Sequence, residues 1–232
     1  MPRLKLSFII FFLVSLLACV SRVTPPAPLP PPVKKSEGLY HIVQKNETLW
    51  RICKTYKVSI QEVAELNNIK NPSRIKVGDK IFIPGAGQLL KVKASQKDNE
   101  EIHPGVTIKK GMFIWPVKGP VTTQFGINNG FKNDGIDIAV ASGTQVAASY
   151  EGQVVFSSEL KGYGKTIIIQ HRDKYATVYA NNKTNLAKKG ESVKTGQVIA
   201  TTGGTGEGNS APHLHFQIRE HNQARNPLFY LP

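Results

Sequence analysis

Between residues 39 and 85 the apolar positions change period twice. Tyr40-His41-Ile42-Val43 alternates as a half-buried strand does, with successive side chains on opposite faces. Leu49, Ile52, Cys53 and Tyr56 then recur at the spacing of one helical face, and Asn46-Glu47 ahead of them supplies a capping start. A second helix is predicted over Ser59 to Asn67, with Ile60, Val63, Ala64 and Leu66 turned inward. Lys80-Ile81-Phe82-Ile83 closes the segment as a strand, and Pro84 stops it. The expected unit is a small βααβ domain around a single core.

From residue 108 to residue 232 the pattern is different. Short runs at Val121–Phe125, Ile136–Val140, Thr144–Ala148, Gln153–Phe156, Thr166–His171, Tyr175–Ala180, Gln197–Thr201 and His213–Arg219 are divided by glycine-containing turns. No stretch has the length and period of a substantial helix. The spacing predicts an all-β domain, a sandwich or barrel.

The remaining segments are not built to fold. Arg3 and Lys5 precede an apolar run from Phe8 to Ala18, too short to span a bilayer comfortably and patterned as an export signal over residues 1–18. Leu16-Leu17-Ala18-Cys19 resembles the lipobox of bacterial lipoproteins. That resemblance implies cleavage before Cys19, lipid attachment at Cys19 and, with Val20 next, an outer-membrane anchor facing the periplasm. Residues 19–38 hold Pro25-Pro26-Ala27-Pro28-Leu29-Pro30-Pro31-Pro32, which reads as a stiff polyproline tether reaching up to roughly 60 Å. Residues 86–107, rich in Lys, Gln, Asp, Glu and Gly, read as a linker.

Composition narrows the partners. In 232 residues, 40% hydrophobic and 20% charged content is globular and excludes a wholly disordered or collagen-like chain. Loss of residues 1–18 takes Arg3 and Lys5 away and lowers the formal charge from +14 to +12. An exported lipoprotein rarely meets nucleic acid, so anionic envelope polymers and phospholipid surfaces are the better counterparts, and a solvated basic surface with no partner accounts for the charge equally well. With Cys19 capped, Cys53 has no partner, and an oxidising compartment favours a buried thiol there.

Two stretches carry recognisable chemistry. Tyr40-His41-Ile42-Val43, Glu47-Thr48-Leu49-Trp50-Arg51-Ile52, Leu66-Asn67-Asn68-Ile69 and Ile75 through Pro84 together resemble a LysM domain. The resemblance implies binding of N-acetylglucosamine-containing glycans such as peptidoglycan, through Glu47, Thr48, Leu49, Asn67 and Ile69. In the second domain, His213-Leu214-His215-Phe216-Gln217-Ile218-Arg219 alternates, so His213, His215, Gln217 and Arg219 share a face. Paired imidazoles suit metal binding or proton transfer, and an ordinary exposed strand face explains them equally well. The run Gly203-Gly204-Thr205-Gly206-Glu207-Gly208 lacks the ending of a phosphate loop and reads as a turn.

Joined to Gln124-Phe125-Gly126, Gly135-Ile136-Asp137-Ile138-Ala139, Gly143 through Ala148, Gly152-Gln153-Val154-Val155 and Gly190 through Ala200, this face resembles the lysostaphin-type (LytM) zinc endopeptidases. That family implies zinc held by a His, an Asp four residues later and the second His of His-x-His. Two further imidazoles would handle protons. On this chain Asp137 and His215 stand at ligand positions, but the first ligand is Asn133. His213 stands at one proton-handling position, and Asn181 occupies the other.

A carboxamide is a neutral, weak metal ligand and cannot exchange a proton near neutral pH, whereas catalytic zinc needs about three strong donors and an open position. His171 and His221 are the candidate replacements. The expected protein is therefore not an enzyme and needs no cofactor, with His213, Asn181, Asn133, Asp137 and His215 as vestiges.

Anchor, tether, LysM module and disabled peptidase domain together resemble the NlpD-type lipoproteins. The resemblance implies activation of N-acetylmuramoyl-L-alanine amidases in cell-wall splitting during division. An active zinc-dependent peptidoglycan endopeptidase and a passive membrane-to-wall anchor are the alternatives.

Overall fold

The structure is a computed structural model that describes residues 34–93, 105–203 and 211–232. Cys19, the export signal and most of the proline tether lie outside the described residues. The predicted order of a βααβ unit followed by an all-β domain is borne out.

Strand β1 (Lys34–Lys35) does not join the strand pair of the first unit but crosses to the second domain, described below. β2 (Gly38–Ile42) and β3 (Lys80–Pro84) pair antiparallel with Tyr40 opposite Phe82, and helices α1 (Leu49–Tyr56) and α2 (Ile60–Leu66) cover one face. Val43, Leu49, Ile52, Val63, Ile81 and Ile83 make the core. The start of α1 differs from expectation. Thr48, not Asn46-Glu47, is its cap, and its hydroxyl accepts the Arg51 N–H at 3.3 Å. Lys57 ends the helix at φ 57°. Cys53 is buried, and burial pushes its thiol up to about 12, so it stays an inert packing group.

In the second domain, β4 (Val121–Thr123), β5 (Gly126–Asn128), β6 (Phe131–Asn133), β7 (Ile136–Ala139) and β8 (Gln145–Ala147) are short. β9 (Gly152–Leu160), β10 (Gly164–Gln170) and β11 (Tyr175–Asn185) form a long meander. β12 (Ser192–Val193), β13 (Val198–Thr202), β14 (His213–Glu220) and β15 (Gln223–Arg225) complete it. The main sheet runs β12-β9-β10-β11-β14-β7-β4, with β13 and β15 joining β11 and β14 off that path. Phe113, Ile136, Ile138, Ile167, Tyr179 and Phe216 are fully buried beneath it. β5 and β6 form a separate hairpin to which β1 adds a third strand, Lys34 opposite Lys132.

That hairpin touches both domains. Gly126 sits at φ 107°, and a side chain there would meet the Leu66 carbonyl oxygen at 2.2 Å. Leu66 and Phe82, from the first domain, pack into the second domain's core. Burial of each stabilises the contact by about 1.5–3 kcal/mol. Around them, Arg225 pairs with Glu65 at 3.0 Å, and Asn226 donates to Glu65 from its backbone (3.1 Å) and its side chain (3.0 Å, to the carbonyl). Asn68 donates to Gln124 at 3.1 Å.

The stretch expected to be a linker is also engaged where it is described. Val92 is buried in the first domain's core, Arg51 donates to the Lys93 carbonyl at 2.7 Å, and Thr107 exchanges two hydrogen bonds with Gln61.

Candidate functional site

A cavity of about 280 Å³ opens on the polar face of β14, between β7, the β5–β6 hairpin and β11. Register assembles it. On β14, His215 lies opposite Asp137 of β7 on one side and Ala180 of β11 on the other, while His213 lies opposite Ala139. Directly opposed residues on paired strands share a face, so Asp137 and His215 meet at the floor. The alternation read from the sequence holds: Leu214, Phe216 and Ile218 are buried beneath, and His213, His215 and Arg219 are half-buried above. Gln217, on the same polar face, is fully buried.

The contacts are specific. His215 Nδ1 lies 2.7 Å from Asp137 Oδ1. Burial pushes the Asp137 carboxyl up, but the hydrogen bond and charge of His215, a hydrogen bond from Thr123 and the charge of His213 outweigh it. The carboxyl therefore sits below its ordinary value. His215 Nε2 faces the Gln217 side-chain amide nitrogen at 3.0 Å, and the Tyr163 ring packs against the imidazole at 5.7 Å.

The two asparagines are held in place by different local structures. Asn133 ends β6, where its Oδ1 accepts the Gly135 N–H at 3.2 Å, a side-chain turn that asparagine makes readily. Its Nδ2 donates to the Gln124 carbonyl at 3.3 Å. Asn181 sits at φ 61°, where β11 bulges: Lys165 pairs with Asn182 but Ile167 with Tyr179. Asparagine tolerates that left-handed backbone. Its Nδ2 reaches His213 Nε2 at 2.6 Å, while His213 Nδ1 lies 2.8 Å from the Ala211 carbonyl. A carbonyl only accepts, so Nδ1 carries the His213 proton and Nε2 receives the Asn181 N–H.

Zinc does not fit this donor set. Asn133 offers a weak carboxamide oxygen that already accepts a backbone N–H, leaving Asp137 and His215 as the strong donors. Among the described residues, no cluster of three His, Cys, Asp or Glu side chains is placed to hold a metal ion. The replacement imidazoles lie elsewhere. His171, at the far end of β10, is buried between the Glu151 carbonyl (2.7 Å) and the Thr177 hydroxyl (2.8 Å), and burial lowers its pKa to about 4. His221 follows the other end of β14, six residues past His215, ~20 Å along the strand.

The expected glycan contacts divide. Leu49 is fully buried in the core, so its side chain has no surface to offer. Glu47 turns inward, its carboxylate 2.8 Å from His41 Nε2 and accepting the Gln44 N–H at 2.7 Å. Asn67 is tied to β3, accepting the Phe82 N–H and donating to the Phe82 and Val63 carbonyls. Thr48 is exposed and Ile69, like Asn67, is half-buried; of these, Thr48 and Ile69 are not tied up by the hydrogen bonds that hold Asn67. Tyr163, Gln217 and Arg219 were not expected in the groove chemistry. Gln217 and Arg219 were nonetheless visible on the alternating face of His213–Arg219, whereas Tyr163 comes from a turn with no local pattern.

Comparison with known proteins agrees with both domains. Residues 41–84 match the LysM domain and residues 131–227 match peptidase family M23. Lipoprotein YgeR of Escherichia coli (strain K12) is 37% identical, covering 84% of this chain and 82% of that protein. Outer membrane antigenic lipoprotein B of Histophilus somni is 30% identical over 82% of this chain and 67% of its own length. Murein hydrolase activator NlpD of Escherichia coli (strain K12) is 46% identical over 51% of this chain, a match that spans 31% of NlpD.

Proposed function

This chain belongs to the NlpD-type lipoproteins, which join a LysM domain to a peptidase family M23 domain, and we propose that it is a non-catalytic activator of peptidoglycan amidases. In this reading the LysM domain holds the protein on peptidoglycan, with Thr48 and Ile69 as its side-chain contacts. Lipid on Cys19 anchors it to the outer membrane on the periplasmic side. The former catalytic groove docks on an N-acetylmuramoyl-L-alanine amidase and relieves its autoinhibition during cell-wall splitting.

The observation that carries the reading is the state of the two asparagines. The Asn133 side chain is committed to a turn and that of Asn181 to His213, and in this reading the two replace a ligand and a proton carrier. Without a cation, bound water keeps a pKa near that of bulk, and no hydroxide nucleophile forms at neutral pH. What remains is a concave surface with imidazole, carboxylate and amide groups, edged by half-exposed Phe131 and by Lys132. Such a surface can recognise a protein segment without cutting it.

The test is an amidase from the same organism, assayed on labelled peptidoglycan with and without this chain. Zinc determination and a cross-linked muropeptide digest run beside it. Stimulated amidase with no cross-link cleavage by the chain alone is expected. Chelator-sensitive cleavage of cross-links by the chain alone would overturn the proposal.

A further inference from the structure

His215 has two ring nitrogens and, when neutral, one proton to place between them. One side faces Asp137 Oδ1 at 2.7 Å, which welcomes either a proton on Nδ1 or a cation there. The other side faces the Gln217 side chain, and here the alternating face of β14 continues beyond the histidine. Gln217 is fully buried. Its Oε1 accepts from Arg219 Nη1 at 3.0 Å. Its Nε2 donates to the Tyr163 hydroxyl at 3.3 Å and lies 3.0 Å from His215 Nε2.

An amide nitrogen only donates, so His215 Nε2 must present its lone pair and the proton must sit on Nδ1. Turning the Gln217 amide over would set its N–H groups against the half-buried Arg219 guanidinium, which has no acceptor, and would take from Arg219 the acceptor it now has. Arg219 is itself held, its Nη2 donating to the Asn222 carbonyl at 2.5 Å.

The geometry points to Gln217 and Arg219 as positioning residues that keep the His215 proton on Nδ1, aimed at Asp137. The pair Asp137–His215 is then closed by a proton at the atom a metal would occupy. A cation entering through Nδ1 would have to move that proton to Nε2, where it meets the Gln217 N–H head on. The lock acts at fixed charge: it chooses which nitrogen carries the proton. It rests on the proposed non-catalytic reading for its purpose, since it makes the remaining two-ligand remnant resist metal. Its evidence is separate from that reading. His215 thereby has both ring nitrogens engaged in a set donor pattern, presenting the same face to a partner each time.

The experiment is nitrogen-15 NMR of the histidine side chains in the purified chain, at a pH where His215 is neutral. Long-range proton–nitrogen correlations show which ring nitrogen is protonated. The wild-type chain is expected to carry the proton on Nδ1 of His215. Gln217→Glu puts acceptors toward both Nε2 and Arg219, and is expected to move a proton onto Nε2. Arg219→Met frees the Gln217 amide to turn and is expected to give a mixture of the two forms.

A wild-type proton on Nε2 would sink the inference, and that measurement requires no variant. So would an unchanged Nδ1 form in whichever of the two variants folds. Neither result bears on amidase stimulation, so a failure here is distinguishable from a failure of the proposed function.

Discussion

The groove and the seam between the domains each hold a carboxylate against a base, and the two behave oppositely. At the groove, the Asp137 side chain is 19% exposed beside His215; at the seam, the Glu65 side chain is 3% exposed beside Arg225. Burial raises the Glu65 carboxyl more than the Gln61 hydrogen bond, the Arg225 charge and the Asn226 N–H lower it. At Asp137 the partners outweigh burial. At Glu65 the like charge of Glu220 adds to the rise, whereas both groove imidazoles and the Thr123 hydroxyl draw the Asp137 carboxyl down. A sealed ion pair offers little net stability yet is costly to break, whereas an open pair remains available to another molecule.

The sharpest way to break this contrast is to remove one partner at the seam. Arg225→Ala leaves Glu65 buried without its cation and is expected to cost about 3–5 kcal/mol, read as a lower urea midpoint. Next comes the close approach beneath it. Gly126→Ala places a Cβ against the Leu66 carbonyl at a φ of 107°, and should destabilise by about 1–3 kcal/mol and loosen the domains, seen as faster hydrogen exchange in β5 and β6. In the groove, Asp137→Asn removes a charged hydrogen-bond partner that is still partly wet. Its expected cost is smaller, about 1–2 kcal/mol by the same denaturation.

Acid sharpens the comparison further, because the two signs oppose. Asp137 sits below its ordinary value, so its stabilisation is full above the unfolded value of ~3.9 and is lost as pH falls through the lower folded value. Glu65 sits above its ordinary value, so its stabilisation is full below ~4.3 and is lost as pH rises through the higher folded value. Wild type should lose its advantage over Asp137→Asn on acidification. Against Glu65→Gln it should lose ground as pH rises. Matching slopes in the two series would contradict the opposed shifts of the two carboxyls. The smallest effect expected is none at all: stoichiometric zinc, or a chelator, should leave the thermal midpoint unmoved, since a ligand stabilises only the state that binds it.

Much of the groove was legible before any coordinates. Strict alternation from His213 to Arg219 survives folding because a strand's period of two leaves no freedom about which residues share a face. Asn133 and Asn181 declared themselves by residue type, since no tertiary arrangement turns a carboxamide into a base. The LysM contacts were legible only as a module. Glu47 and Asn67 are drawn into internal hydrogen bonds and Leu49 into the core, because a domain this small spends its few well-placed side chains on closing itself.

The residue pattern alone determined the two fold classes and put carboxamides at Asn133 and Asn181, because the first depends on periodicity and the second on residue type. Tertiary structure decided the rest. It recruited Leu66 and Phe82 into the other domain's core, added Lys34–Lys35 to the β5–β6 hairpin and clasped Glu65 with Arg225. It also set Gln217 and Arg219 as the backing of His215. Those facts depend on register and on which surfaces lose their water, and both are fixed only when distant stretches of chain meet.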